Sequence, residues 1–202
     1  MILALDTSTA ACTAALFDAD GELLCAADEV IGRGHAERLV PMIAELLAGR
    51  RADRVLVGCG PGSFTGLRVG IAAAHGMAIG WDADLGGFSS LALLAALVPG
   101  DGAVAAAMTG GHGEVFIQQF ERTPLASSSP LLNLPPDQAA EAITADLVVG
   151  PAAVSVIEAR GWGGAIEVLP SASRALHLPE ALRTLEPRPI YARAPDARPK
   201  AA

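Results

Sequence analysis

In the first half of the chain, hydrophobic residues occur in short continuous runs and in longer stretches with helical spacing. Three apolar runs separated by turn residues predict three consecutive strands in an antiparallel meander. Two amphipathic stretches with a strand and a glycine-rich loop between them predict two long helices. This order of elements predicts helices packed against a mixed sheet. The predicted strands cover residues 2–5, 13–17, 23–30, the vicinity of 55, and 85–88, and the predicted helices cover 35–48, 66–80 and 90–97.

A second group of elements begins after the turn at residues 99–102, which is the predicted boundary between two subdomains. We predict an N-terminal subdomain over 1–98, which holds the glycine loop and the two long helices, and a smaller C-terminal subdomain over 99–202. Past residue 161 the periodic pattern weakens, and residues 187–199 hold too many prolines for much regular structure. In the second subdomain, strands are predicted over 103–108, 114–120 and 147–149, a surface loop over 125–136 and a helix over 137–144.

The two long predicted helices carry more apolar surface than one core requires. On the first helix, one stripe is predicted to face the core, and an adjacent apolar stripe is left over. On the second helix, two lines of small residues leave room for another helix to approach closely. Burial inside this chain and a subunit interface both remain open as explanations. The predicted core stripe is Ala36, Leu39, Val40, Ile43, Leu46 and Leu47, the second stripe is His35, Leu39, Met42 and Leu46, and the small-residue lines are Gly66, Gly70, Ala74 and Ala72, Gly76, Gly80.

The composition of the chain argues against several classes of function. With 51% hydrophobic residues, the chain of 202 residues can bury a core without disulfides. Its three cysteines form no Cys-x-x-Cys pair and its four histidines form no His-x-x-x-His pair, so a thiolate zinc site and a zinc hydrolase are both unsupported. A formal net charge of −8 argues against nucleic-acid binding by this chain alone. We find no leader pattern and no apolar membrane span, so we expect a cytoplasmic protein that does not contact a membrane.

The glycine-rich stretch over residues 58–71 joins a buried strand to a helix and presents backbone amides. An anion site and a site of close packing both fit such a turn. It is not a Walker A loop, because Gly66 is followed by Leu67 and the only lysine is Lys200. Ser63 is interpreted as a helix cap rather than a nucleophile.

A carboxylate and three hydroxyls follow the first strand. Asp6, Thr7, Ser8 and Thr9 form a turn at which a metal-bound phosphate could sit. The alternative is an Asx turn in which the side chains only satisfy free backbone amides.

Several segments together resemble one known family. The segments are residues 3–9 (LALDTST), 34–43 (GHAERLVPMI), 60–71 (GPGSFTGLRVGI), 113–116 (GEVF) and 189–197 (PIYARAPDA). These segments span nearly the whole chain in order. By these segments the chain resembles the TsaB family, also called YeaZ. The resemblance implies an α/β fold of the actin-like ATPase superfamily (ASKHA, ribonuclease H-like), with two subdomains and mixed sheets.

The resemblance also implies a role in forming N6-threonylcarbamoyladenosine beside the anticodon of tRNAs that read codons starting with A. In that family, TsaB is a non-catalytic scaffold that pairs with the transferase TsaD, and the ATPase TsaE joins the pair. We therefore expect no cofactor of the chain's own, ATP and metal on the partner subunits, contact with tRNA only through the complex, and a homodimer when the chain is alone.

Two groups of residues take a role from this resemblance. The pairing surface is expected on the two long helices, and a vestigial nucleotide site at the turn after the first strand. Relatives carry Asp-x-Arg where this chain has Thr109-Gly-Gly111, which weakens the case for inherited nucleotide binding. The predicted interface residues are His35, Leu39, Met42, Ile43, Leu46, Val69, Ala72, Ala73 and Gly76, and the predicted nucleotide residues are Asp6, Thr7 and Ser8.

Two other classes compete with a scaffold subunit. A small ATPase or kinase of the same superfamily would use Asp6 and the glycine loop but lacks a convincing general base. A peptidase lacks both a nucleophile constellation and a zinc ligand set. Measuring ATP turnover by the isolated chain would discriminate the kinase from the scaffold.

Overall fold

The first sheet is built as the hydrophobic pattern predicts. The computed structural model describes residues 1–192. Its strand order is β3-β2-β1-β4-β5, with an antiparallel meander over β1 to β3 and parallel pairing of β1 with β4 and of β4 with β5. The elements are β1 (Ile2–Asp6), β2 (Ala11–Phe17), β3 (Leu23–Val30), α1 (His35–Leu47), β4 (Arg54–Gly58), α2 (Phe64–Trp81), β5 (Asp84–Phe88) and α3 (Ser90–Ala95).

Alternate residues of the central strand β1 enter two different cores. Leu3 and Leu5 pack among buried residues of α1 and α2 on one face of the sheet. Ala4 packs on the other face, in a core that includes residues of α3 and of the second sheet. A strand covered on both faces reads as a continuous apolar run, which is why the pattern identified β1 without alternation.

The second sheet has strand order β11-β10-β6-β7-β8, and β9 also pairs with β7. It is mixed, because β6 pairs antiparallel with β7 and parallel with β10. The predicted surface loop over 125–136 was wrong in part, since two short strands form within it and extend the sheet along β7. The elements are β6 (Ala103–Thr109), β7 (Val115–Arg122), β8 (Leu125–Ser127), β9 (Leu132–Leu134), α4 (Pro136–Glu141), β10 (Leu147–Val149), α5 (Ala153–Arg160) and β11 (Gly164–Ile166).

The chain then returns to the first sheet. A 3₁₀ turn (Ala172–His177) and the short helix α6 (Glu180–Arg183) lead to a backbone bridge between Leu185 and Gly87 at the outer edge of β5. The Ile190 N–H donates to the carbonyl of Cys59. The division into 1–98 and 99–202 stays a prediction. It did not include the return of the C-terminal segment to the first sheet.

Part of the sequence interpretation falls beyond residue 192. Residues 193–199 of the proline-rich segment, and residues 193–197 of the last family segment, lie outside the described residues. Among residues 1–192, no helix combines the length and the apolar character needed to cross a membrane.

Candidate functional site

The Asp6 carboxylate is fully buried at the end of β1 and is bonded entirely within the chain. Its Oδ1 atom accepts hydrogen bonds from the Ser8 backbone N–H at 2.7 Å and from the Ser8 hydroxyl at 2.6 Å. Its Oδ2 atom accepts from the Ser90 hydroxyl, at the start of α3, at 2.5 Å. Burial raises the pKa of Asp6, and the hydrogen bonds from Ser8 and Ser90 oppose that rise. A side chain at Gly58 would collide with this carboxylate.

The neighbouring hydroxyls are also satisfied internally. Thr7 donates to the carbonyl of Gly66 in the first turn of α2 at 2.7 Å, and Thr9 accepts from the Ala11 N–H at 3.1 Å. The Asx-turn alternative therefore describes this turn. Because Asp6, Thr7 and Ser8 are buried and bonded within the chain, the structure gives no support to a nucleotide site built on them.

The glycine loop serves close packing. A Cβ atom at Gly66 or at Gly70 would collide with the carbonyl or the hydroxyl of Thr7, so only glycine lets α2 approach the end of β1 so closely. The Ser63 hydroxyl accepts from the Gly66 N–H at 3.2 Å, which confirms its interpretation as a helix cap. Of the two predicted small-residue lines on α2, the line through Gly66 and Gly70 thus faces the sheet rather than another helix.

The predicted interface stripe on α1 is corrected by the structure. His35, Leu39, Met42 and Ile43 are buried within the chain, three of them among the residues of β1, β2 and β4. The His35 Nε2 atom lies 3.2 Å from the carbonyl oxygen of Ala11. The buried face of the helix is shifted toward His35 and Met42 relative to the prediction. The stripe assigned to a partner therefore faces the sheet, and part of the stripe assigned to the core faces outward.

The outward surface of the two helices includes several exposed apolar residues. Val40 is 57% exposed and Ile79 is 82% exposed. An added Cβ at Gly76 or Gly80 would meet no atom within 4 Å. Of the other predicted interface residues, Ala72 is exposed, whereas Leu46, Val69 and Ala73 are half-buried. We define the α1–α2 face as the exposed residues Ala36, Val40, Ala44, Ala72, Gly76, Ile79 and Gly80.

A cleft of about 830 Å³ is lined by segments from both halves of the chain. The turn after β1, the first turn of α2, the turn after β6 and the segment around Tyr191 line it. Arg68 lies with its guanidinium carbon 3.5 Å from the centre of the Phe64 ring and donates to the Tyr191 hydroxyl at 3.4 Å. Sequence reasoning did not single out Arg68 or Tyr191, although a lone arginine in a helix of small residues was a usable signal.

Titratable groups elsewhere form no evident reaction centre. Within residues 1–192 no group of three or more His, Cys, Asp or Glu side chains could hold a metal ion. Burial raises the pKa of the Cys12 thiol and of the Cys59 thiol to about 11, so both stay protonated at neutral pH and are poor nucleophiles.

Comparison with known proteins identifies the class of this fold. A family model described as "TsaD: tRNA N6-adenosine threonylcarbamoyltransferase" matches residues 28–127. The structure of YeaZ from Pseudomonas aeruginosa superimposes with a TM-score of 0.79 at 29% identity, over 94% of this chain and 98% of that one. A second structure, of an uncharacterized protein with similarity to peptidase YEAZ from the same organism, gives a TM-score of 0.78 at 31% identity, over 95% and 99%. The chain therefore has the actin-like α/β fold of two mixed sheets.

Curated relatives narrow this class to one family. The tRNA threonylcarbamoyladenosine biosynthesis protein TsaB of Escherichia coli K12 is 36% identical over 129 residues, which cover 60% of this chain and 55% of that protein. The chain thus spans about half the length of the curated relatives it matches. Together with the near-complete structural overlap, these matches show that the chain belongs to the TsaB (YeaZ) family. The resemblance carried by the sequence segments is confirmed.

Proposed function

We propose that this protein is a non-catalytic scaffold subunit in the formation of N6-threonylcarbamoyladenosine in tRNA, and that its α1–α2 face docks a TsaD-type transferase. The names of the curated relatives place them in threonylcarbamoyladenosine biosynthesis. Residues 28–127 match a TsaD family model. A TsaD-type partner would therefore be homologous to this chain and would present helices similar to α1 and α2. The modified nucleoside would lie beside the anticodon of tRNAs that read codons starting with A.

The α1–α2 face is the observation that carries this proposal. Ala36, Val40 and Ala44 follow one another at four-residue spacing along α1, and Ala72, Gly76 and Gly80 do the same along α2. Small residues at this spacing let a partner helix approach closely, because only short side chains stand between the two backbones. An apolar surface on two adjacent helices is a mark of a protein interface.

The geometry of the turn after β1 supports a non-catalytic role. In a phosphate-transferring relative of this fold, a carboxylate near the cleft would have to face its substrate or a metal ion. Here both oxygens of Asp6 are bonded to Ser8 and Ser90. ATP and metal ions are therefore assigned in this proposal to the partner subunits, TsaD and TsaE.

The charge of the chain supports an indirect contact with tRNA. A protein with a formal net charge of −8 repels a phosphate backbone unless a partner supplies a basic surface. In this proposal the chain reaches tRNA only through the complex. When the transferase is absent, the same apolar face pairs with a second copy of the chain, since it would otherwise stay in contact with water.

Variants of the α1–α2 face test the proposal. Val40→Asp and Gly76→Leu should leave the free chain folded, because both positions are exposed. Each should abolish co-purification with TsaD from the same organism and lower threonylcarbamoylation in a reconstituted assay, through an unpaired buried charge or a blocked helix approach.

Two controls make this test specific. Val154→Asp places the same charge on α5 of the second subdomain, where Val154 is 39% exposed, and should keep partner binding. Met42→Asp should unfold the chain, because Met42 is fully buried beneath the same helix. Retained TsaD binding by both Val40→Asp and Gly76→Leu would place the interface elsewhere.

A further inference from the structure

The cleft lined by both halves of the chain has the size and the walls of a small-molecule site. Its volume of about 830 Å³ falls in the range of ligand pockets, which are concave, mostly apolar and carry a few placed polar groups. Phe116, Leu169 and Ile190 contribute apolar walls from three separate segments of the chain. None of the residues that define the α1–α2 face lines this cleft.

The charge of the cleft is opposite to that of the protein. Although the chain carries a formal net charge of −8, the residues within 1–192 that line the cleft include Arg68 and no aspartate or glutamate. Within residues 1–192, no carboxylate pairs with Arg68; its contacts are the Phe64 ring and the Tyr191 hydroxyl. Such contacts hold a guanidinium in place without neutralising it. An anionic group entering the cleft would therefore gain a charge-assisted hydrogen bond.

The lining residues also argue against a metal ion as the counter-charge of a bound ligand. Magnesium-bound triphosphates are held in proteins through carboxylate oxygens. Two carboxylates lie two residues from the lining: Asp6 is buried and bonded to Ser8 and Ser90, and Glu114 accepts from the side-chain amide of Asn133. A ligand with a single anionic group and an apolar body suits these walls better than a metal–nucleotide complex.

We propose that this cleft binds a small organic anion, a carboxylate or sulfonate with a flat apolar body. Arg68 pairs with the anionic group, and Phe116 and Tyr191 pack against the body. Arg68 is exposed one turn before Ala72 on α2, and its guanidinium contacts are with Phe64 and Tyr191 in the cleft.

A matched pair of fluorescent probes tests the charge preference. The probe 8-anilinonaphthalene-1-sulfonate carries one anionic group on a flat aromatic body, and N-phenyl-1-naphthylamine has the same body without the sulfonate. Titrated into the parent protein, the anionic probe should bind about tenfold more tightly, the gain expected for one charge-assisted pair. In Arg68→Gln this preference should disappear, whereas Arg51→Gln, which removes an exposed arginine outside the cleft, should retain it.

Two further variants locate the bound probe. Gly111 lines the cleft and an added Cβ there would meet no atom within 4 Å, so Gly111→Leu should fold and block binding of both probes. Val40→Asp on the α1–α2 face should leave probe binding unchanged. Equal affinity of the two probes for the parent, binding that survives Gly111→Leu, binding lost in Val40→Asp, or displacement of the sulfonate probe by Mg·ATP at lower concentration than by 1-naphthoate would each overturn the proposal.

Discussion

Asp6 has the most constrained environment of the carboxylates in the first sheet. It joins three parts of the chain, because Ser8 follows β1, Ser90 begins α3, and Gly58 at the end of β4 leaves the space that the carboxylate fills. The Ser90 hydroxyl also accepts from the Gly60 N–H at 3.2 Å, which ties the glycine loop to the same cluster. A carboxylate used in this way organises the loop rather than a ligand.

The raised pKa of Asp6 predicts a pH-dependent stability. Because the folded chain binds the Asp6 proton more tightly than the unfolded chain, this group lowers the free energy of unfolding as pH rises from 3.8 through the raised folded pKa. Asp6→Asn cannot titrate; its amide oxygen can still accept from Ser8, and its amide N–H can donate to the Ser90 hydroxyl. In urea denaturation at a series of pH values, the variant should gain stability relative to the parent as pH rises across that window. A difference that stays constant with pH would show that Asp6 has the same pKa in the folded and the unfolded chain.

Within helix α2, two glycines have opposite environments. Gly70 faces Thr7, with no space for a side chain, whereas Gly76 faces open solvent two turns later. The first glycine is required by the packing of the helix on the sheet. The second lowers helix stability with no gain inside the chain, which is consistent with a role at an interface.

Alanine substitutions at these glycines should therefore have opposite effects. Gly76→Ala should raise the free energy of unfolding of the monomer by about 0.5–1 kcal/mol, by reducing the backbone freedom of the unfolded chain. Gly70→Ala should lower it by roughly 1–3 kcal/mol, because Thr7 must move. Chemical denaturation at a concentration where the parent is monomeric measures both. Destabilisation by Gly76→Ala would mean that this glycine already packs inside the folded chain.

The same helices show how far the sequence could predict the structure. Strands β1 to β5 and helices α1 and α2 follow from local periodicity and turn residues, so their order and type were predictable. The buried face of α1 was not, because the stripe through Leu39 and Met42 and the stripe through Ala36 and Val40 are both apolar and lie side by side. Only the contact with the sheet decides between them. The cleft was likewise hidden, since Arg68 and Tyr191 are far apart in sequence and meet through the return of the C-terminal segment.

At the scale of the whole molecule, the return of the C-terminal segment to the first sheet attaches the end of the chain to its beginning. The Thr13 hydroxyl, fully buried in β2, donates to Asp28 on β3 and accepts from the Ala172 N–H at 2.8 Å. Ala172 and Ala175 of the 3₁₀ turn pack in the core shared by the two sheets. The first sheet is therefore incomplete without residues from the last part of the chain.

Thr13→Val should weaken this connection without changing its shape. The valine side chain fills the same space but leaves the Ala172 N–H without an acceptor, which should cost about 1–3 kcal/mol of unfolding free energy. Thr65→Val is the matched control, because Thr65 is exposed in the first turn of α2 and should change stability by less than about 0.5 kcal/mol. Denaturation curves of the two variants provide the comparison. Equal stability of Thr13→Val and the parent would indicate that the 3₁₀ turn is held by apolar packing alone.

The backbone bridge between Leu185 and Gly87 also affects how copies of this chain can associate. It covers part of the outer edge of β5, where the Leu185 N–H and carbonyl occupy the hydrogen-bonding groups of Gly87. In the first sheet, β3 forms the opposite edge, which a strand from another molecule could also join. An edge whose hydrogen-bonding groups are already paired cannot accept a strand from another molecule at that position. The last segment of the chain therefore protects this part of β5 from pairing between molecules.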